Sequence, residues 1–154
     1  MFDKILVALD GSEHSTRALA SAVQIAKKFN GKLMLIHVYS VTVTPIMMPE
    51  PTTSMPGIPM TSPADVSRVI ESAKQVGKNI LMKGVEQAKL EKVPVESLLK
   101  EGHVVQEIMR TAEEGKFDLI VIGARGMSRI RELLLGSVTD GVIHHTKCPV
   151  LVVK

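Results

Sequence analysis

The stretch Ile5-Leu6-Val7-Ala8-Leu9-Asp10-Gly11-Ser12 decides the fold. Its first five residues are apolar without alternation, as a strand covered on both faces requires, and such strands build parallel sheets sandwiched between helices. Asp10 and Gly11 then punctuate. Ser12 can N-cap a helix, with Ser15 rather than Glu at its N3 position, so the cap lacks a full capping box. Leu19, Ala22, Ile25, Ala26 and Phe29 follow at helical spacing, and Gly31 reads as the stop after Asn30.

Outward from this unit the same rhythm repeats. Leu33 to Val38 is a second apolar run, interrupted only by His37. Ser62 as cap, Pro63 at N1 and Asp65 at N3 start a helix. Its expected buried stripe is Val66, Val69, Ile70, Ala73, Val76, Ile80, Gly84 and Ala88, reaching about Leu90. A weak strand over Val95–Lys100 precedes a short helix marked by Val104, Val105, Ile108, Met109 and Ala112, which ends at Gly115. Phe117–Ile122 reads as a buried strand, about Arg131 to His145 as a helix, and Pro149–Val153 as a last strand. Strand and helix in alternation predict an α/β fold, a parallel sheet with helices on both faces. Ligands of such sheets sit beyond the carboxyl ends of the strands, where the winding reverses. Leu9-Asp10-Gly11, His37-Val38 and the chain from Gly123 onward should therefore meet a ligand.

A length of 154 residues predicts one domain over 1–154, large enough to fold without a disulfide or metal staple. Aromatic residues are only 3%, so the core is aliphatic and base stacking on a single strand is disfavoured. The +3 charge is spread along the chain, and the densest basic cluster is Arg125, Arg129 and Arg131, which points away from nucleic acid. Cys148 is the single cysteine and reads as a packing residue. His103, His144 and His145 lack partners at metal spacing. No signal segment and no apolar run of membrane-spanning length is readable, so the expectation is a cytoplasmic protein with no membrane partner.

Residues 40–64 break the pattern. They hold Pro45, Pro49, Pro51, Pro56, Pro59 and Pro63 with Met47, Met48, Met55 and Met60. A long loop of this kind serves as a nucleotide-responsive lid or a deformable surface for a protein partner, or is a passive insertion.

The chemistry concentrates after Ile122. Gly123-Ala124-Arg125-Gly126 is followed, nine residues on, by Gly136-Ser137-Val138-Thr139. Glycine serves where a backbone adopts positive φ or approaches a ligand closely. Amides and hydroxyls around Gly136, Ser137 and Thr139 suit an anion, and Asp10 is a short carboxylate suited to ribose hydroxyls. Either glycine alone reads as a turn or a packing contact; the set, behind a buried strand, reads as a nucleotide site. Arg125 reads as a phosphate partner or a solvated loop residue. The dinucleotide fingerprint is absent, and Gly136-x4-Gly141 continues with Val142-Ile143, so a P-loop reading fails.

Lys4–Ser12 and Gly123–Val153 together resemble the universal stress proteins. The ATP-binding branch of that family carries Gly-x2-Gly-x9-Gly-Ser/Thr, and Gly123, Gly126, Gly136 and Ser137 match it without a gap. The resemblance implies a Rossmann-like five-stranded sheet in the order 3-2-1-4-5 and a homodimer. It implies adenine near Ala8, Leu9 and the backbone of Val38, with ribose at Asp10 and Gly123. Phosphates would lie against Gly126, Ser137, Val138 and Thr139, with Mg2+ or Mn2+ held through them; Ile122 and Arg125, beside these residues in sequence, are counted with the site. An edge strand at Val150–Val153 would be covered by two-fold pairing in that dimer.

The leading function is an ATP-binding stress or signalling module. The alternatives are a slow ATPase or nucleotide-dependent transferase, and an interaction protein working through residues 40–64. No general base is readable in a motif, although Asp140 and Glu132 are near in sequence; phosphoryl transfer needs a positioned nucleophile, which favours binding over turnover.

Overall fold

The structure, a computed structural model, describes residues 1–40, 63–127 and 135–154. In chain order the elements are β1 (Lys4–Ala8), α1 (Glu13–Phe29), β2 (Lys32–Tyr39), α2 (Pro63–Leu90) and β3 (Val95–Glu101). They continue with α3 (Val104–Glu114), β4 (Leu119–Gly123), α4 (Ser137–His145) and β5 (Val150–Val153). All strand pairs are parallel and the order is β3-β2-β1-β4-β5, as the resemblance implied. The winding reverses between β1 and β4, which opens a crevice at their carboxyl ends.

Each face of the sheet has its own core. Ile5, Val7, Leu33, Leu35 and Val121 pack with Leu19, Ala22, Val23 and Ala26 of α1 and with Leu81 and Ala88 of α2. Leu6, Ile36, Ile120 and Ile122 pack on Ile108 and Ala112 of α3 and Val142 of α4. Successive strand residues thus serve opposite faces, which is why β1 and β4 read as unbroken apolar runs. The α1 start is as expected: the Ser15 N–H donates to Ser12 Oγ at 3.1 Å.

Four local expectations are corrected. The left-handed residue ending α1 is Asn30 (φ 54°), not Gly31. Gly31 is glycine for another reason, since a Cβ there would lie 2.2 Å from the Phe2 carbonyl oxygen. The stripe of α2 runs through Gly77, Leu81, Gly84 and Ala88, while Val69 and Val76 are 54% and 56% exposed. Glycines let this helix approach the sheet closely: a Cβ at Gly84 would lie 2.9 Å from both Leu35 Cδ1 and Leu9 Cδ1. The strand expected from Phe117 begins at Leu119; just before it the Asp118 N–H donates to the Lys4 carbonyl at 3.0 Å, and the Asp118 carboxylate accepts the Asp3 N–H at 2.9 Å. The helix expected from about Arg131 starts at Ser137, with Gly136 extended as its N-cap (φ −74°, ψ 156°). Residues 131–134 and nearly all of the 40–64 segment lie outside the described residues. No described helix is long and apolar enough to cross a membrane.

Candidate functional site

Three backbone turns at the carboxyl edge of the sheet enclose a cavity of about 250 Å³. Ala8, Leu9 and Asp10 enter it from the end of β1, Val38 from β2, and Ile122 and Gly123 from β4. Arg125 and Gly126 follow β4, and Gly136 to Thr139 form the cap and first turn of α4. All twelve residues expected from the sequence therefore border one space.

The turn after β1 orients Asp10. Its Oδ1 accepts the Ser12 N–H at 2.9 Å, closing a short side-chain turn that mimics a backbone turn. Ser12 is then free to cap α1, so the tripeptide Asp10-Gly11-Ser12 both starts the helix and aims the carboxylate. Oδ2 lies over Gly126, where a Cβ would come within 2.5 Å of it. Gly126 is not at positive φ, so its glycine is a matter of space and not of backbone conformation.

Gly123 is equally constrained by its neighbours. A Cβ would meet the His14 carbonyl carbon at 2.7 Å, so α1 presses its first turn against the end of β4. The Gly123 carbonyl accepts the buried Thr139 hydroxyl at 2.7 Å. The Gly136 N–H likewise donates to the Ala124 carbonyl at 2.8 Å. These two bonds lock the start of α4 onto the β4 exit. They also correct two expectations: the Thr139 hydroxyl and the Gly136 amide are spent on the fold rather than offered to an anion. What α4 does offer is its first-turn amides at Ser137, Val138 and Thr139. These have no intrahelical acceptor, and the helix dipole adds partial positive charge there.

The sequence reading missed Ser15, Ile36, Met127, Val104 and Ile108, which also line the cavity. Val104 and Ile108 lie one turn apart on α3 and supply an apolar wall; their spacing marked them only as core. Beyond that wall, a wider groove of about 560 Å³ opens between Ser40, Glu101–Val105 and the first turn of α4. It shares Val104, Ser137 and Val138 with the cavity, so the two spaces are neighbours across these residues. Arg125 forms no ion pair among the described residues and lines the smaller cavity. Asp140 is paired with His144 at 3.4 Å, and Glu132 lies outside the described residues. Among the described residues no three His, Cys, Asp or Glu side chains converge as a metal site.

The arrangement offers an apolar slot, one aimed carboxylate oxygen and a row of helix amides without a partner among the described residues. The family model of the universal stress proteins matches residues 1–154. The chain belongs to the universal stress protein family. It is 36% identical over 154 residues to the universal stress protein YxiE of Bacillus subtilis (strain 168), spanning 100% of both chains. It is similar to the crystal structure of a universal stress protein in complex with cAMP, with a TM-score of 0.66 and 28% identity over 99% of this chain and 96% of that one. The universal stress protein from Archaeoglobus fulgidus in complex with dAMP gives a TM-score of 0.64 at 25% identity, covering 100% of both chains.

Proposed function

We propose that this universal stress protein is a cytoplasmic ATP-binding module whose state depends on the bound nucleotide. The observation that carries the reading is the convergence of Asp10 Oδ2 and the α4 first-turn amides on one apolar cavity at the β1–β4 reversal. An adenine between Ala8, Val38 and Ile122 would be shielded by aliphatic side chains, and a hydroxyl of its ribose would donate to the Asp10 Oδ2. The phosphates would then meet the amides of Ser137 and Val138, where backbone donors and the helix dipole favour negative charge. The groove past Val104 has room for a chain longer than one phosphate. That relatives are described in complex with cAMP and dAMP supports an adenine nucleotide.

A divalent ion fits this reading only if the phosphate oxygens are its main ligands, since the surrounding described side chains offer it Asp10 and little else. When bound it would neutralise phosphate charge; orientation falls to Asp10, Gly126 and the helix amides. We further propose a homodimer formed through β5, which lies at the sheet edge with Val150 to Val153 each half-buried. Native mass spectrometry of the freshly purified protein tests the nucleotide reading: a carried-over adenine nucleotide, or its uptake on adding ATP with Mg2+, is expected. A protein that carries none and shows no heat of binding with ATP would overturn it.

A further inference from the structure

His37 faces α2 rather than the cavity that its neighbour Val38 lines. Its Nδ1 lies 2.7 Å from the Leu9 carbonyl oxygen. A carbonyl can only accept, so Nδ1 carries the proton and donates. The ring is held to this task from behind. At Gly77 of α2 a Cβ would come within 2.6 Å of His37 Cδ2 and of Leu99 Cδ1, so only glycine leaves the imidazole its place.

The consequence appears one residue further along β2. The β1–β2 pairing ends with Ala8 opposite Ile36, and its last rung is the Leu9 N–H on the Ile36 carbonyl at 2.9 Å. In a parallel ladder every second residue turns both backbone groups to the same neighbour. Ile36 and Val38 therefore turn toward β1, whereas Tyr39 turns toward β3 and accepts the Gly102 N–H at 3.0 Å. The next rung would join the Val38 N–H to the Leu9 carbonyl. That rung is not formed, and the Leu9 oxygen is held by His37 instead. Among the described residues, the Val38 N–H and C=O have no backbone partner on the β1 side. An unmatched donor and acceptor beside an apolar cavity is costly unless water or a ligand takes them up.

We propose that His37 is a positioning residue for the nucleotide base. By claiming the Leu9 carbonyl it keeps the ladder open beyond Ile36 and leaves the Val38 N–H and C=O to pair with the edge of a purine. Adenine answers with a ring nitrogen as acceptor and its exocyclic amine as donor. The inference rests on the nucleotide-binding reading above and deepens it by assigning what presents the base-reading groups.

The test compares ATP with purine riboside triphosphate, which keeps the ring nitrogen and lacks the amine. Calorimetry is run on the parent, His37→Phe and His37→Asn. Phenylalanine fills the space without a donor, which frees the Leu9 carbonyl to close the ladder; the Asn side-chain amide donates from nearly the same place as Nδ1. The parent should prefer ATP by about tenfold, the worth of one good hydrogen bond. His37→Phe should lose that preference and His37→Asn should keep it. An unchanged preference in His37→Phe overturns the inference and leaves ATP binding standing. A parent that binds neither nucleotide overturns the binding reading, and this inference with it. Hydrogen exchange on the parent alone gives a check independent of any variant: the Val38 amide should exchange faster than that of Ile36 and slow when ATP is added. A Val38 amide as protected as Ile36 without nucleotide would show a closed ladder and overturn the inference.

Discussion

Asp10 Oδ2 and Gly126 occupy each other's space so fully that the smallest side chain at 126 would sit 2.5 Å from the carboxylate. The contact joins the exit of β1 to the loop after β4, on either side of the point where the winding reverses. It makes one glycine the seat of one carboxylate.

Gly126→Ala should therefore act through Asp10. The new methyl would push the carboxylate off its Ser12 N–H bond, without backbone strain because φ at 126 is not positive. ATP affinity should fall by about tenfold or more, as for the loss of a charge-assisted hydrogen bond, while the melting temperature changes little. Calorimetry beside thermal denaturation separates the two, and an unchanged affinity would remove Asp10 from the site.

Gly123 and Gly136 belong to the same motif but should respond differently to alanine. A Cβ at 123 meets backbone of α1 at 2.7 Å, whereas a Cβ at 136 has its nearest neighbour, Arg125 Cα, at 3.4 Å. Gly123→Ala is expected to destabilise by about 1–3 kcal/mol through overpacking. Gly136→Ala meets no such contact and should cost less, about 0.5–1 kcal/mol, the loss expected when alanine replaces glycine at a helix N-cap. Urea denaturation of both variants checks the contrast; equal losses would mean that the two glycines share one role.

The edge position of β5 leads to an assembly prediction. An unpaired edge of Val150, Leu151, Val152 and Val153 invites pairing with another strand, and a charge on it is the usual deterrent. Val152→Lys should shift sedimentation from dimer toward monomer. A parent that already sediments as a monomer, or a variant that keeps the parental mass, counts against β5 as the interface.

Cys148 should be slow to react. Burial pushes its thiol up from the ordinary value, the Asp118 carboxylate adds to the shift, and a backbone hydrogen bond opposes it. Its Sγ lies 3.3 Å from the Phe117 carbonyl oxygen, to which the thiol donates. A raised thiol pKa means less thiolate at neutral pH, and the thiolate is the nucleophile. Alkylation by iodoacetamide at pH 7 should lag behind that of the urea-unfolded chain and catch up only in more alkaline solution. Equal rates at pH 7 would show an exposed, ordinary thiol.

Much of this molecule is written locally. The apolar run at Ile5–Leu9, the Ser12 cap and the Gly123, Gly126, Gly136 and Ser137 spacing each depend on neighbours a few residues away, so periodicity and turn chemistry expose them. The twelve expected site residues meet because strand ends in a parallel sheet all point to one edge, a rule of topology that alternation alone carries. What each group does there was decided by contacts far apart in sequence. Gly84 and Ala88 lie on the expected stripe of α2, but Gly77 turned the helix away from the side that Val69 and Val76 suggested, because close approach to the sheet rewards a missing side chain, which hydropathy cannot register. The Thr139 hydroxyl was claimed by Gly123, sixteen residues away, and the Leu9 carbonyl by His37, twenty-eight away. A hydrogen bond consumes its donor and acceptor wherever the partner lies along the chain. Which groups stay free for a ligand is therefore a property of the tertiary structure alone.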